Sequence, residues 1–250
     1  MVFSYFLMAA AYYGSSYGTR GIFSYFDWTW ILILAGLALS LLASAFMKSA
    51  VARYSNVTAA SGLTGKDTAC IILRAANVRD VGIGSVQGKL TDHYDPSSKT
   101  VGLAEESYGR TSLAAVGIAA HECGHAIQDA ESYTPLKVRS AIVPAVNIGS
   151  QLSWPIFIVG LIFSFRPLLT AGIILYSLAV LFQLVTLPVE INASSRGLKM
   201  LRSTGILRNE EISGARKVLT AAAMTYVAAL ASSALQLIRM LILAGGNRRD

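Results

Sequence analysis

Trp28 to Met47 is a run of twenty residues without a charged side chain, and it restricts the folds open to this chain more than any other stretch. As an α-helix it is about 30 Å long, the thickness of the hydrocarbon core of a bilayer. Trp28 and Trp30 stand at one end, where aromatic rings favour a membrane interface, and Lys48 and Arg53 follow the other. Two further apolar segments, Ala141 to Phe165 and Pro167 to Leu187, are parted only by Arg166, the pattern of a transmembrane hairpin. Pro144 and Pro155 are expected to bend the first of them, and Asn147, Gln151 and Ser153 to face protein rather than lipid. Leu219 to Leu243 is rich in Ala and Ser but contains Arg239, so it reads as a fourth span or as a helix in the interface. The composition agrees: 54% hydrophobic and 14% charged, with a mean hydropathy of +0.52, against roughly 25% charged in soluble domains. The net charge of +7 does not point to nucleic acid, because the basic residues sit beside the apolar segments, where topology and anionic lipid explain them. Cys70 and Cys123 are too few for a disulfide framework.

These features divide the chain into seven parts. Residues 1–27, rich in Tyr, Gly and Ser, lack the basic start of a signal peptide and read as an irregular or interfacial segment, or as a short buried helix. Residues 28–47 are the first span, and residues 48–140 carry mixed charge as a small α+β lobe. Within the lobe, Thr64 and Asp67 form a capping-box pattern ahead of the helical spacing Ala69, Ile72, Leu73 and Ala76, which Asn77 ends. Val81 to Leu90 is strand-like, Asp95-Pro96-Ser97-Ser98 is a turn, and Lys99 to Leu103 is a second strand. The expected hairpin pairs Val86–Leu90 with Lys99–Leu103. Residues 141–187 are the membrane hairpin and 188–218 a polar segment, where Gly205 could end a helix that starts at Glu190 and Asn209 start the next. Residues 219–244 are the fourth helix and 245–250 a tail. The fold class is mainly α: a polytopic membrane protein with three to four transmembrane helices and a small cytoplasmic α+β lobe. The cytoplasmic placement follows from Lys48, Arg53, Lys137, Arg139, Arg196, Lys199, Arg202, Arg216 and Lys217, which flank spans on one side, with Arg20 and Arg166 on the other. With four spans Arg248 and Arg249 fall on the opposite side, against that rule.

The helix that begins at Thr111 or Ser112 and runs to Ala130 carries the chemistry. His121-Glu122-Cys123-Gly124-His125 is an HExxH motif. Its two histidines, four residues apart, share a helix face and can hold one Zn²⁺, and Glu122 is placed one residue round to act as a base. Asp129 lies on the same face, where it either orients a metal ligand from behind or solvates the helix end. Catalytic zinc takes three protein ligands and leaves one position open. Besides His121 and His125 there is only one other histidine, His93. Glu190 is the better candidate, because the two-span hairpin returns the chain to the membrane face on which the motif lies. The alternative is that Glu190 pairs with Arg196 or a nearby Lys.

Four segments then resemble a known family: Lys89 to Pro96, His121 to Gln128, Leu136 to Ser140 and Pro188 to Ser194 look like the bacterial YugP-type membrane zinc metallopeptidases, the neutral zinc metallopeptidase family. The likeness covers about residues 28–244, and the order of elements is similar to the wider gluzincin group that includes HtpX and the CAAX-prenyl proteases. It implies a metalloendopeptidase of the bacterial plasma membrane with one zinc per chain, held by His121, His125 and Glu190, and with Glu122 as general base. It also implies a polypeptide substrate, itself membrane-associated, with an oligomer or a regulatory partner open. Ala193 matches the signature that follows the ligand in that group, while Ser194 stands where HtpX-like enzymes have Asp. His93, Tyr94 and Arg196 are candidates to stabilise the transition state, although a structural role for His93 fits as well. A non-catalytic membrane scaffold is the competing class, but it has no use for a base beside its ligands. A transporter has thin support in Gln151 and Gln183.

Overall fold

The computed structural model describes residues 27–246; the expectations for residues 1–26, and for Arg248 and Arg249, fall outside them. Among the described residues seven helices and three strands follow in order: α1 (Trp30–Ser55), α2 (Gly65–Ala75), β1 (Gly82–Val86), β2 (His93–Asp95), β3 (Thr100–Ala104), α3 (Glu105–Tyr108), α4 (Leu113–Ala130), α5 (Thr134–Ile162), α6 (Arg166–Ser203) and α7 (Asn209–Gly246). The chain is mainly helical, with one small sheet.

Local chemistry explains most helix boundaries. The Thr64 hydroxyl accepts from the Asp67 N–H and the Asp67 carboxylate accepts from the Thr64 N–H, the expected capping box. Helix α2 ends where Asn77 turns left-handed at φ +56°, and it buries Ala69, Ile72 and Leu73. Helix α4 starts at Ser112, whose hydroxyl accepts from the Ala115 N–H. A backbone bridge between Thr58 and Ser112 ties this start to the end of α1.

The sheet departs from expectation. Its order is β1-β3-β2, with β1 parallel to β3 and β2 antiparallel to it. Val86–Leu90 therefore does not pair as a hairpin with Lys99–Leu103. Gly88 and Leu90 have φ of +103° and +57°, which ends the first strand early. The hairpin forms instead across the Asp95 turn, where the Asp95 carboxylate accepts from the Ser97 N–H and from the hydroxyls of Ser97 and Ser98. Those bonds hold the Asp95 carboxyl below its usual range, at about 2. His93 thus lies opposite Gly102, and Tyr94 opposite Val101.

Four helices, α1, α5, α6 and α7, are long and apolar enough to cross a membrane. Helices α5 and α6 pack as an antiparallel pair, and α1 packs along α7. Two expectations need correction here. Helix α6 is continuous from Arg166 to Ser203, so Glu190 belongs to the same helix as the third apolar segment and does not start a new one. Pro188 inside it removes one donor without ending it. Of the polar residues in α5, Ser153 is buried but Asn147 and Gln151 are exposed. The buried stripe runs Val146, Gly149, Ser153, Phe157 and Gly160, and Asn147 and Gln151 lie off it. Arg239 is largely covered: its Nε donates to the Thr29 hydroxyl, and its guanidinium lies 5.0 Å from the centre of the Trp30 ring. Asp27 accepts from the same Thr29, so a charge inside α7 is satisfied by the start of α1.

The main core gathers Ile72 and Leu73 of α2, Val101 and Leu103 of β3, Val116, Ala120 and Cys123 of α4, and Leu201 of α6. Helix α4 runs through its middle, which makes the HExxH helix the most enclosed helix of the fold.

Candidate metal centre

Helices α4 and α6 approach until their backbones touch. A Cβ built on Gly124 would lie 2.2 Å from the Ala193 carbonyl oxygen, and one on Gly197 would lie 2.5 Å from that of Ala120. Only glycine allows this approach. One turn of each helix is thereby locked side by side, and Glu190 comes to the HExxH face.

The donor atoms of His121, His125 and Glu190 all lie within 4.8 Å of one another. Glu190 Oε2 is 3.3 Å from His121 Nε2 and 3.5 Å from His125 Nε2. Ligands placed tetrahedrally at zinc–nitrogen and zinc–oxygen bond lengths stand about 3.3–3.4 Å apart, so each imidazole and Glu190 are spaced as two ligands of one zinc ion. Two further observations support the fit. Glu190 is 3% exposed, and its Oε2 is buried with no hydrogen bond of good geometry. Both Nδ1 atoms are already engaged: that of His121 with the Ser194 hydroxyl at 3.0 Å, and that of His125 with Gln128 Oε1 at 3.0 Å. An Nδ1–H donated to Gln128 leaves the His125 Nε2 lone pair pointing at the site.

Gln128 is fully buried, and its amide also donates to the Val189 carbonyl and to Asn192 Oδ1. Arg196 Nε donates to the same Asn192 oxygen, and its Nη1 pairs with Glu131 at 2.5 Å. Arg196 thus reaches His125 only through Asn192 and Gln128, and it does not pair with Glu190. The cation beside Glu190 is Arg139 of α5, 3.3 Å from Oε1, the oxygen turned away from the histidines.

Glu122, 7% exposed, lines a cleft of about 280 Å³ together with the three donors, His93, Tyr94, Arg139 and Tyr226. Burial, which disfavours its charge, pushes the Glu122 carboxyl above its usual range, although His121 and His125 pull the other way. Burial lowers the His121 imidazole, but the neighbouring Glu190 and Glu122 carboxylates outweigh it and leave it raised.

Among the residues singled out from sequence, His93 and Tyr94 line this cleft, and Asp129 and Arg196 do not. Asp129 accepts from the Tyr94 hydroxyl at 2.8 Å and from Lys99 at 2.5 Å, so it braces the sheet against α4 rather than orienting a histidine. The residue that orients His125 is its neighbour Gln128. Sequence reasoning did not single out Gln128, Ser194 as a histidine partner, Arg139 as the Glu190 partner, or Tyr226. A signal existed for the first: Gln128 is three residues past His125 and so shares its helix face. Tyr226 is more than thirty residues from Glu190 and has no local signal.

Comparison with known proteins gives the chain a family. A sequence-family model described as "Putative neutral zinc metallopeptidase" matches residues 29–245, which include all three donors and Glu122. The chain belongs to that family. It is 46% identical, over 219 residues, to the "Putative membrane protease YugP" of Bacillus subtilis (strain 168), covering 88% of this chain and 97% of that protein. No solved structure matches it. Members of the family are related by sequence across the apolar helices as well as the motif, so the resemblance seen in the four short segments extends along nearly the whole chain.

Proposed function

We propose that this protein is a zinc-dependent endopeptidase of the bacterial plasma membrane, with its active site at the cytoplasmic face. The observation that carries the reading is the approach of Glu190 Oε2 to within 3.5 Å of both His121 Nε2 and His125 Nε2, close to the spacing of ligands on one zinc ion, beside a buried Glu122. His121, His125 and Glu190 would hold one zinc ion per chain. Zinc, when bound, supplies a Lewis acid that acidifies water and polarises a peptide carbonyl. Glu122 takes the proton of the attacking water and returns it to the leaving amine. Arg139 balances the outer oxygen of Glu190 and keeps the carboxylate turned toward the histidines. His93 and Tyr94 on β2 line the same cleft, where the Tyr94 O–H is already donated to Asp129 and leaves His93 as the candidate to meet the oxygen that gains charge. Strand β2 lies at one edge of the sheet and can pair with an extended polypeptide.

The four long apolar helices support a multi-pass arrangement. On α1 alone Ile31, Leu34, Leu41, Leu42 and Phe46 are each more than half exposed, which suits lipid and not water. Basic residues near α4 and at the α6–α7 turn support a cytoplasmic location for that end, because loops rich in Lys and Arg favour that side. A membrane-associated polypeptide is the matching substrate.

Purified full-length protein should carry about one zinc per chain. Glu122→Gln should keep the zinc and lose cleavage of a peptide substrate by roughly 10²- to 10⁴-fold. Cleavage at the native rate in that variant would reject the mechanism, and full zinc content in Glu190→Ala would reject Glu190 as a ligand.

A further inference from the structure

We propose that the groove between α6 and α7 binds an anionic phospholipid, its headgroup on Lys199, Arg202 and Arg216 and an acyl chain along Ile191, Met224 and Val227. This rests on the reading that both helices cross the bilayer. The groove has a volume of about 610 Å³ and is graded along its length. Arg202 and Lys199 of α6 and Arg216 of α7 lie near the α6–α7 turn, while Ile191 and Val227 lie at the far end, 51% and 38% exposed. No acidic side chain of the described residues lines it. Among the described residues none of the three cations has an ion-pair partner, and all three are exposed. Lys199 and Arg202 are one turn apart, so like charges are held together without a counter-charge. An anion on the groove would supply it.

The depth selects a lipid. Ile191 adjoins Glu190, at the cytoplasmic end of the apolar part of α6, and Met224 is its counterpart across the groove. Lys199 and Arg216 each stand eight residues, about 12 Å, further along their helices. Long basic side chains reach back over such distances, and the phosphate layer lies about 5–8 Å beyond the hydrocarbon edge. The groove thus presents apolar surface at the depth of the acyl chains and positive charge at the depth of the phosphates. Ser194 lines the same groove while its hydroxyl holds His121 Nδ1, so the bound lipid would touch a residue that orients a proposed ligand.

The test uses the full-length protein, purified with its zinc in a neutral detergent, titrated with phosphatidylglycerol or phosphatidylcholine, and analysed for retained lipid by native mass spectrometry. The chain should retain phosphatidylglycerol under conditions that strip phosphatidylcholine. Each basic residue near an anionic surface contributes roughly a fivefold gain, so the combined variant Lys199→Gln, Arg202→Gln, Arg216→Gln should lower retention on the order of a hundredfold. Ala223→Phe fills the groove, leaves the three cations, and should also lower it. Equal retention of the two lipids, or unchanged retention in either variant, overturns the proposal. So does displacement of the lipid by millimolar inorganic phosphate, or preferential binding of an acidic peptide at the same three cations. Zinc content measured on the same samples separates loss of the groove from loss of the metal site. Resistance of the protein to alkaline extraction from membranes tests the spanning reading independently.

Discussion

The α4–α6 contact and the α1–α7 contact use the same device and differ in what they tolerate. Each sets small residues face to face and adds polar bonds. Between α1 and α7, Gly36 faces Ser232, whose hydroxyl donates to the Gly36 carbonyl at 2.8 Å and meets the Ser40 hydroxyl at 3.1 Å. A Cβ on Gly36 would come within 3.3 Å of Ser232. Between α4 and α6, a Cβ on Gly124 would strike a backbone carbonyl at 2.2 Å. The first contact holds two long helices together; the second also fixes the distance between a carboxylate on one helix and two imidazoles on the other. Small-residue packing is therefore a tether in one place and a ruler in the other, and the difference lies in whether chemistry is read across it.

Gly124→Ala should have the largest effect. The helix-propensity gain of about 1 kcal/mol cannot offset a backbone clash, so α4 and α6 must separate. Zinc content should fall sharply, and peptide cleavage should drop by about a hundredfold or more. Normal zinc content in this variant, measured by atomic emission, would show that the contact does not set the spacing. Next come the residues behind the histidines. Gln128→Ala and Ser194→Ala should each weaken zinc affinity by about 10- to 100-fold. Gln128 should matter more, because it is fully buried and also holds Val189 and Asn192 of α6. A chelator competition assay ranks the two, and the reverse order would place the ruler at Ser194.

A smaller effect is expected at Asp129, next to Gln128 in the last turn of α4. Asp129 loses from partial burial but gains more from Lys99 and Tyr94, so its carboxyl sits below its ordinary value. A carboxyl lowered in the folded state stabilises the protein above its unfolded pKa of about 3.9, and that contribution disappears as pH falls through the folded value. Thermal melting at pH 6 should therefore favour the native protein over Asp129→Asn by about 1 kcal/mol, with the gap closing below about pH 4. A gap that persists at low pH would assign it to packing. The smallest effect is expected for Gly36→Ala. The gain in helix propensity and the mild 3.3 Å crowding against Ser232 Cα, Cβ and Oγ nearly cancel, so stability should stay within about 0.5 kcal/mol and zinc content should not change. Loss of zinc there would mean that α1–α7 is a ruler as well.

Much of this was legible in the chain. The capping box at Thr64, the N-cap at Ser112, the long apolar helices and the helical pairing of His121 with His125 rest on interactions within a few residues, and local pattern reports local physics. The strand pairing was misread because register depends on which residues can turn left-handed: Leu90 does so here, and Leu seldom announces it. Asp129 was a reasonable candidate by spacing, yet Lys99 and Tyr94, brought up by the β2–β3 hairpin, engage it first. Asn147 and Gln151 were expected to face protein, but the stripe of α5 that packs is chosen by Gly149, Ser153 and Gly160, which let α6 come close.

By itself the sequence determined a chain with lipid-length helices, a motif able to offer two imidazoles and a carboxylate from one helix turn, and a basic end to its apolar segments. Those follow from residue type and spacing along one helix. Only the tertiary structure brings the Glu190 carboxylate within 3.5 Å of both imidazoles, the Ser194 hydroxyl to His121 and Arg139 behind the carboxylate. Each of these joins residues from two helices. Their distance is set by glycines whose meaning appears only once the two backbones are seen to touch.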